Sequence, residues 1–237
     1  MKKFILPALL LIAQFTSAQT VEEIMNKLTI ALGGSDKFKA IKTAVIKGKI
    51  TMAGMEFPFT MSIIAEKAVR MEMEAMGMKV IQVYNQGKGW TINPVEGKTT
   101  AQELSGDELE SLKDLVSLAD DLVDYKAKGY KVELLGSEKV EDVDTWKLKL
   151  IKTDSSSETY FLDKKSMLKI KTSTMEKEDG NEIETESFYS DFREMNGIKF
   201  PFNVIEKVGG EIIQEVAFES IELNIKMDEK IFDKPVK

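Results

Sequence analysis

The stretch Val69-Arg70-Met71-Glu72-Met73-Glu74-Ala75 decides how this chain is read. Val69, Met71, Met73 and Ala75 alternate with Arg70, Glu72 and Glu74. A period of two places the first set on one face of a β-strand and the charged set on the other. The flanks behave alike, with Phe57, Phe59, Met61 and Ile63 before it and Ile81 and Val83 after it. Neighbouring strands between Val45 and Pro94 would then share one soft apolar face. Seven of the chain's 13 Met lie between Met52 and Met78. Methionine adapts to irregular volumes, so this face is either ordinary core or the wall of a pocket for a variable apolar ligand. Composition leaves both readings open.

Upstream of that region, Lys2 and Lys3 precede an apolar run from Phe4 to Ala13 broken only by Pro7, then Gln14-Phe15-Thr16-Ser17-Ala18. This reads as a cleavable secretory signal over residues 1–18. The run is far short of the roughly 20 residues that span a bilayer. The expected mature domain, 19–237, is periplasmic. It holds about 219 residues, within the range of one β-rich domain. Thr20-Val21-Glu22-Glu23 has capping-box spacing, and Val21, Ile24, Met25, Leu28 and Leu32 recur at helical intervals up to Gly33-Gly34. Ser35-Asp36 is read as the cap of a further short helix through Ala40.

Strands are expected from Thr43 onward, with hairpin turns at Ala53-Gly54, Met76-Gly77 and Asn85 to Gly89. Pro58 calls for a bulge or an edge position. Ser105-Gly106-Asp107-Glu108 opens a second helix carrying Leu109, Leu112, Val116, Ala119 and Val123, read as continuous to Asp124. It either seals one end of the sheet or covers the apolar face. A second block of strands runs from Tyr130 to Asn224, in which Trp146, Leu148 and Leu150 alternate with Lys147 and Lys149. Its turns fall at Asp163 to Ser166, Asp179-Gly180, Asn196-Gly197 and Gly209-Gly210. The fold class is therefore mainly β, one antiparallel meander, closed as a barrel or left open with helices filling its concave side.

Composition excludes much chemistry. There is no His and no Cys, which removes Ser-His-Asp and Cys-His catalysis, most zinc sites and disulfides. No phosphate loop or dinucleotide fingerprint is present. The net charge is −7, becoming −9 without Lys2 and Lys3, so nucleic acid is not an expected partner. Glu176-Glu178-Asp179 and Asp120-Asp121-Asp124 are read as solvated turn and helix faces. A hydrolase using two carboxylates needs nothing more than such groups, yet no pair stands out. The expectation is a non-enzyme with no cofactor and no metal, acting as a monomer.

Val83-Tyr84-Asn85-Gln86-Gly87-Lys88-Gly89-Trp90-Thr91-Ile92-Asn93-Pro94 resembles the periplasmic lipoprotein carriers of the LolA family, which show a similar strand, turn and exit. Ala31-Leu32-Gly33-Gly34 before Ile46-Lys47-Gly48, Tyr160-Phe161-Leu162-Asp163, and Asp191-Phe192-Arg193 leading to Asn196-Gly197 and Phe200-Pro201 agree in order. Asn224 followed by Phe232 and Pro235 matches the closing segment. The similarity spans nearly all of the mature chain and is to the broad outer membrane lipoprotein-sorting group.

The resemblance implies an unclosed β-barrel whose concave apolar face is covered by helices, leaving a cavity for acyl chains. Candidate lining residues are Ile46, Phe59, Met61, Ile63, Met71, Met73, Ile81, Val83, Trp90, Trp146 and Leu148, with Leu109, Leu112 and Val116 on the cover helix. Lid closure in the family involves an Arg-Pro pair; the nearest match here is Lys67-Ala68, which makes Lys67 the expected lid contact without the bidentate fork of Arg. Implied partners are lipid or lipoprotein acyl chains, an inner-membrane donor and an outer-membrane acceptor. The rival readings are a scaffold domain with a filled core and the two-carboxylate hydrolase.

Overall fold

Thr20 starts the first helix, α1 (Val21–Leu32), because its hydroxyl accepts from Glu23 N at 3.2 Å while the Glu23 carboxylate accepts from Thr20 N at 3.2 Å. Two orphan donors are thereby satisfied at once. The helix stops at Gly33, whose φ of 118° suits glycine, and Gly34 N returns to Thr29 O at 2.8 Å. A Cβ on Gly33 would fall 2.1 Å from the Gly197 carbonyl, so the helix end sits directly on a distant hairpin. The short α2 (Ser35–Lys39) follows with Gly34 at its N-cap. Ser35 was expected to cap it. Its hydroxyl instead donates to Asp124 Oδ2 at 2.5 Å, a tertiary bond that outcompetes the local one.

The computed structural model describes residues 20–178 and 181–235. The signal segment 1–18, the Asp179-Gly180 turn and the side chains of Glu176 and Glu178 lie outside the described residues. Thirteen antiparallel strands form one sheet. The first block is β1 (Thr43–Met52), β2 (Met55–Ile64), β3 (Ala68–Ala75), β4 (Met78–Asn85), β5 (Lys88–Asn93) and β6 (Lys98–Leu104). After α3 (Asp107–Asp114) come β7 (Lys131–Val140), β8 (Val143–Ile151), β9 (Ser157–Asp163), β10 (Lys169–Glu178), β11 (Asn181–Met195), β12 (Ile198–Val208) and β13 (Glu211–Leu223). β13 pairs with β1 and joins the two meanders, which leaves β6 and β7 as the two free margins of an unclosed half-barrel.

Tight turns set the register. Ala53-Gly54, Met76-Gly77, Gln86-Gly87, Asn196-Gly197 and Gly209-Gly210 each place two successive residues at positive φ, the hairpin geometry that matches strand twist. Pro58 needs no bulge. It pairs in register with Lys49, while the β2–β3 ladder begins one residue later at Phe59↔Met73. Its missing N–H thus falls where β2 has one neighbour.

Side chains on the inner face form two clusters. In one, α1 buries Ile24, Met25, Leu28 and Leu32 against Leu148, Leu150, Tyr160 and Leu162 of β8 and β9. Burial is worth about 1.5–3 kcal/mol for each such side chain. In the other, α3 and the residues after it cover β1 to β4. A third, smaller cluster lies on the outer face around Trp90 and Phe232. Across β8 to β11 the outer face closes itself: Lys147 and Lys171 lie over the Phe161 ring at 5.4 and 4.9 Å, and Lys171 reaches Phe188 at 5.6 Å. The lysine stems shield the rings while the ammonium groups pair with Glu138 and Glu186.

Candidate functional site

Strand register assembles the inner wall. Ile46, Met61 and Met71 form one row across β1, β2 and β3; Ala44, Ile63 and Val69 form the row above it. Gly48, Phe59 and Met73 form the row below. On β4 these rows continue as Gln82, Tyr84 and Val80, and on β13 as Ile221, Leu223 and Phe218. Gly48 carries no side chain because a Cβ there would meet the Ala217 carbonyl at 2.4 Å and the Phe59 ring at 3.0 Å. Leu109 and Leu112 of α3, with Val116 just beyond, lie on the upper rows. Gly89 permits that approach, since a Cβ would sit 2.6 Å from Leu109 Cδ1.

The cover is partial. Met61 and Ile63 are buried, Met71 and Met73 half-buried. At the far end of the same face Met52, Met55 and Met78 are 40%, 51% and 37% exposed. The wall therefore runs continuously from packed core to open apolar surface, with methionine at the transition.

Other expected lining residues lie elsewhere. Trp146 and Leu148 face inward but belong to the α1 cluster on β8. Ile81, Val83 and Trp90 sit on the opposite, outer face of the sheet, which corrects their assignment to the methionine wall. The cause is the chain's C-terminal segment, which crosses that face. Phe232 packs on Ala68, Val83 and Trp90. The Trp90 indole donates to Phe232 O at 3.2 Å, and Arg70 donates to Ile231 O at 2.8 Å. Lys67 is part of this arrangement too, 2.6 Å from Glu229, and not a contact of the cover helix. The link to the cover comes from its neighbour, with Glu66 N donating to Val116 O at 3.1 Å.

α3 ends at Asp114 in tighter bonds, Leu115 N to Leu112 O and Val116 N to Lys113 O at 3.2 Å, and does not continue to Asp124. The Val116 carbonyl is taken by Glu66, and Asp120 Oδ1 captures Leu122 N at 2.9 Å in a local turn. Leu118, Leu122 and Val123 still reach the α1 cluster. The three aspartates expected on a solvated face are instead clasps. Asp120 pairs with Lys169 at 2.7 Å, Asp121 with Lys152 at 2.8 Å and Lys128 at 3.1 Å, and Asp124 with Lys39 at 2.8 Å. Burial pushes the Asp121 carboxyl up, but Lys152 and Lys128 outweigh it and hold the group below the usual range. Burial would lower the Lys169 ammonium, yet Asp120 and Tyr189 raise it above its ordinary value. Lys39 ends α2, Lys152 follows β8 and Lys169 opens β10, all distant in sequence from the aspartates, so no local pattern announces those three pairs.

Beside the clasps lies a mainly apolar cleft of about 430 Å³, lined by Phe38, Ile41, Ala65, Leu118 and Val123 among others. Among the described residues no group of three or more metal-ligating side chains converges, and no helix is long and apolar enough to cross a membrane.

No family model matches the sequence, and no curated protein is similar to it at a significant level. Solved structures do share its architecture. A LolA superfamily protein from Nitrosomonas europaea superposes with a TM-score of 0.61 at 16% identity, covering 92% of this chain and 99% of that one. An outer membrane lipoprotein-sorting protein domain from Vibrio parahaemolyticus gives 0.60 at 12% identity, covering 90% and 95%. A DUF1329 family protein from Desulfovibrio piger gives 0.62 at 13% identity, covering 91% and 98%. What is shared at this level is the fold: the chain has the LolA-like architecture.

Proposed function

We propose that this chain is a periplasmic carrier that holds acyl chains of lipoproteins or other lipids against its methionine wall and helps deliver them to the outer membrane. One observation carries the reading: the inner face passes from buried Met61 through half-buried Met71 and Met73 to exposed Met55, and Gln82 enters these rows only at their β4 end. A filled core would have closed that gradient, because exposed contiguous apolar surface is costly unless it is used. The LolA-like fold supports the same reading, and the chain's complement of side chains offers no nucleophile–base pair with His or Cys.

The energetics suit a carrier. Each buried CH₂ contributes roughly 0.8 kcal/mol, so a chain of about 16 carbons gains on the order of 12 kcal/mol if fully covered. Partial cover holds it more weakly and lets it leave. The test is binding of a fluorescent fatty acid to wild type, Met73→Glu and Glu74→Gln, with native mass spectrometry of protein taken from the periplasm. Binding lost in Met73→Glu alone, with acyl mass on the native protein, is the expected result. Equal binding by both variants removes the wall from the site. An empty protein indicates the scaffold, and turnover of a glycan panel the hydrolase.

A further inference from the structure

We infer that the cleft between α2, the β2–β3 turn and the segment after α3 is a separate site for a single-chain lipid with a zwitterionic head, of the lysophosphatidylethanolamine type. Its floor is apolar, from Phe38, Ile41, Ala65, Leu118 and Val123, and its volume is about 430 Å³. That lies within the roughly 300–1,000 Å³ of small-molecule pockets. Five charged residues stand on its rim: Lys39, Lys42, Lys128, Glu66 and Asp124. Three are already neutralised, Lys39 by Asp124 at 2.8 Å and Lys128 by Asp121 at 3.1 Å. Among the described residues that leaves Lys42 and Glu66 without an ionic partner.

Both side chains are exposed, and their backbones are held at fixed places. Lys42 N donates to Asn224 Oδ1 at 2.7 Å, and its carbonyl accepts from Ala65 N at 3.0 Å. Its ammonium touches no carboxylate and lies 3.4 Å from the Lys39 carbonyl. Glu66, the next residue after Ala65, has φ 58° and is pinned by its N–H to Val116 O. One free cation and one free carboxylate on adjoining strand ends, above an apolar floor, complement a head that carries a phosphate and an ammonium. A purely anionic head would meet Glu66, and an uncharged one would gain nothing from either group. The cleft is lined by none of the methionines of the inner wall.

Calorimetric titration of the mature protein tests this with three dodecanoyl lipids below their micelle concentrations: lysophosphatidylethanolamine, lysophosphatidylglycerol and the monoacylglycerol. The ethanolamine lipid should bind most tightly. Lys42→Gln should weaken both phospholipids by about tenfold, the scale of one charge-assisted hydrogen bond, and leave the monoacylglycerol unchanged. Glu66→Gln should reverse the preference toward the glycerol phospholipid. Lys42→Arg, which keeps the charge, should retain wild-type ranking. Met73→Glu should leave this ranking intact while abolishing fatty-acid binding at the wall. Equal affinity for all three lipids, no binding of any, parallel shifts in both charge variants, or loss of the ranking in Met73→Glu would each overturn the inference.

Discussion

The Trp90 indole nitrogen donates to the Phe232 carbonyl at 3.2 Å, on the side of the sheet that faces away from the methionine wall. Phe232 is 1% exposed although it lies five residues from the end of the chain. The C-terminal segment is thus an integral layer over β3 to β5. Phe232→Ala should cost about 3–5 kcal/mol of stability, as for other buried aromatic truncations. Trp90 emission should shift to the red, and Trp146, in the other cluster, should not respond. Chemical denaturation followed by fluorescence reads both effects. An unchanged midpoint would mean the segment merely rests on the sheet.

Gly89 fixes how closely α3 seats. Gly89→Ala places a methyl against Leu109 Cδ1 at 2.6 Å and the Val83 carbonyl at 3.0 Å. The leucine can yield; the carbonyl cannot. The expected cost is about 1–3 kcal/mol, in the range of overpacked sites. Hydrogen exchange should rise in α3, which has no side-chain N-cap, and stay constant in β8. In wild type the same helix should already exchange faster than β8 and slow when lipid is added.

Acid should release the Asp121 clasp. Asp121 has its folded value held below its unfolded value by Lys152 and Lys128. Its contribution is therefore fully present above the unfolded carboxylate value of about 3.9 and is lost as pH falls through the lower folded value. Lys152 is raised by the same partner, so its contribution declines at the opposite, alkaline end as pH rises through the folded value. Asp121→Asn should lower stability at neutral pH and flatten the fall in stability below about pH 4. Thermal melts across pH check this; parallel curves for both proteins would remove Asp121 from the acid response.

The methionines should govern cargo handling more than folding. Replacing Met61, Met71 and Met73 together with Leu conserves volume and should keep the fold within about 1.5 kcal/mol per site. Binding should become more selective for chain length, and release to vesicles should slow, because leucine adapts less readily than methionine. Acyl exchange measured across chain lengths gives the answer. Identical rates and profiles would make these residues filler.

Period-two alternation made the strands legible, and Gly-containing turns made most hairpins so. Ala53-Gly54 and Asn196-Gly197 needed no tertiary information, since two positive φ values in a row leave few residue choices. Alternation does not say which face is inner. Val80 to Tyr84 carries Val80 and Tyr84 inward and Ile81 and Val83 outward, a nearly continuous apolar run. Such a run marks a strand covered on both sides, and the second cover comes from Phe232, far along the chain. The length of α3 is hidden for a similar reason: Val116 and Asp120 have ordinary helical spacing, while the Val116 carbonyl accepts from distant Glu66 and a local turn forms at Leu122.

Consecutive strands usually lie side by side, yet β6 and β7 occupy opposite margins of the sheet. The chain leaves one margin at Leu104 and re-enters at the other at Lys131, so the stretch between them, which includes α3 and the clasped aspartates, is strung across the mouth like a bowstring. Its contour length limits how far the two margins can part, and each clasp shortens the free portion. Insertions or deletions between Leu104 and Lys131 would thus tune the gape of the shell without altering a single wall residue.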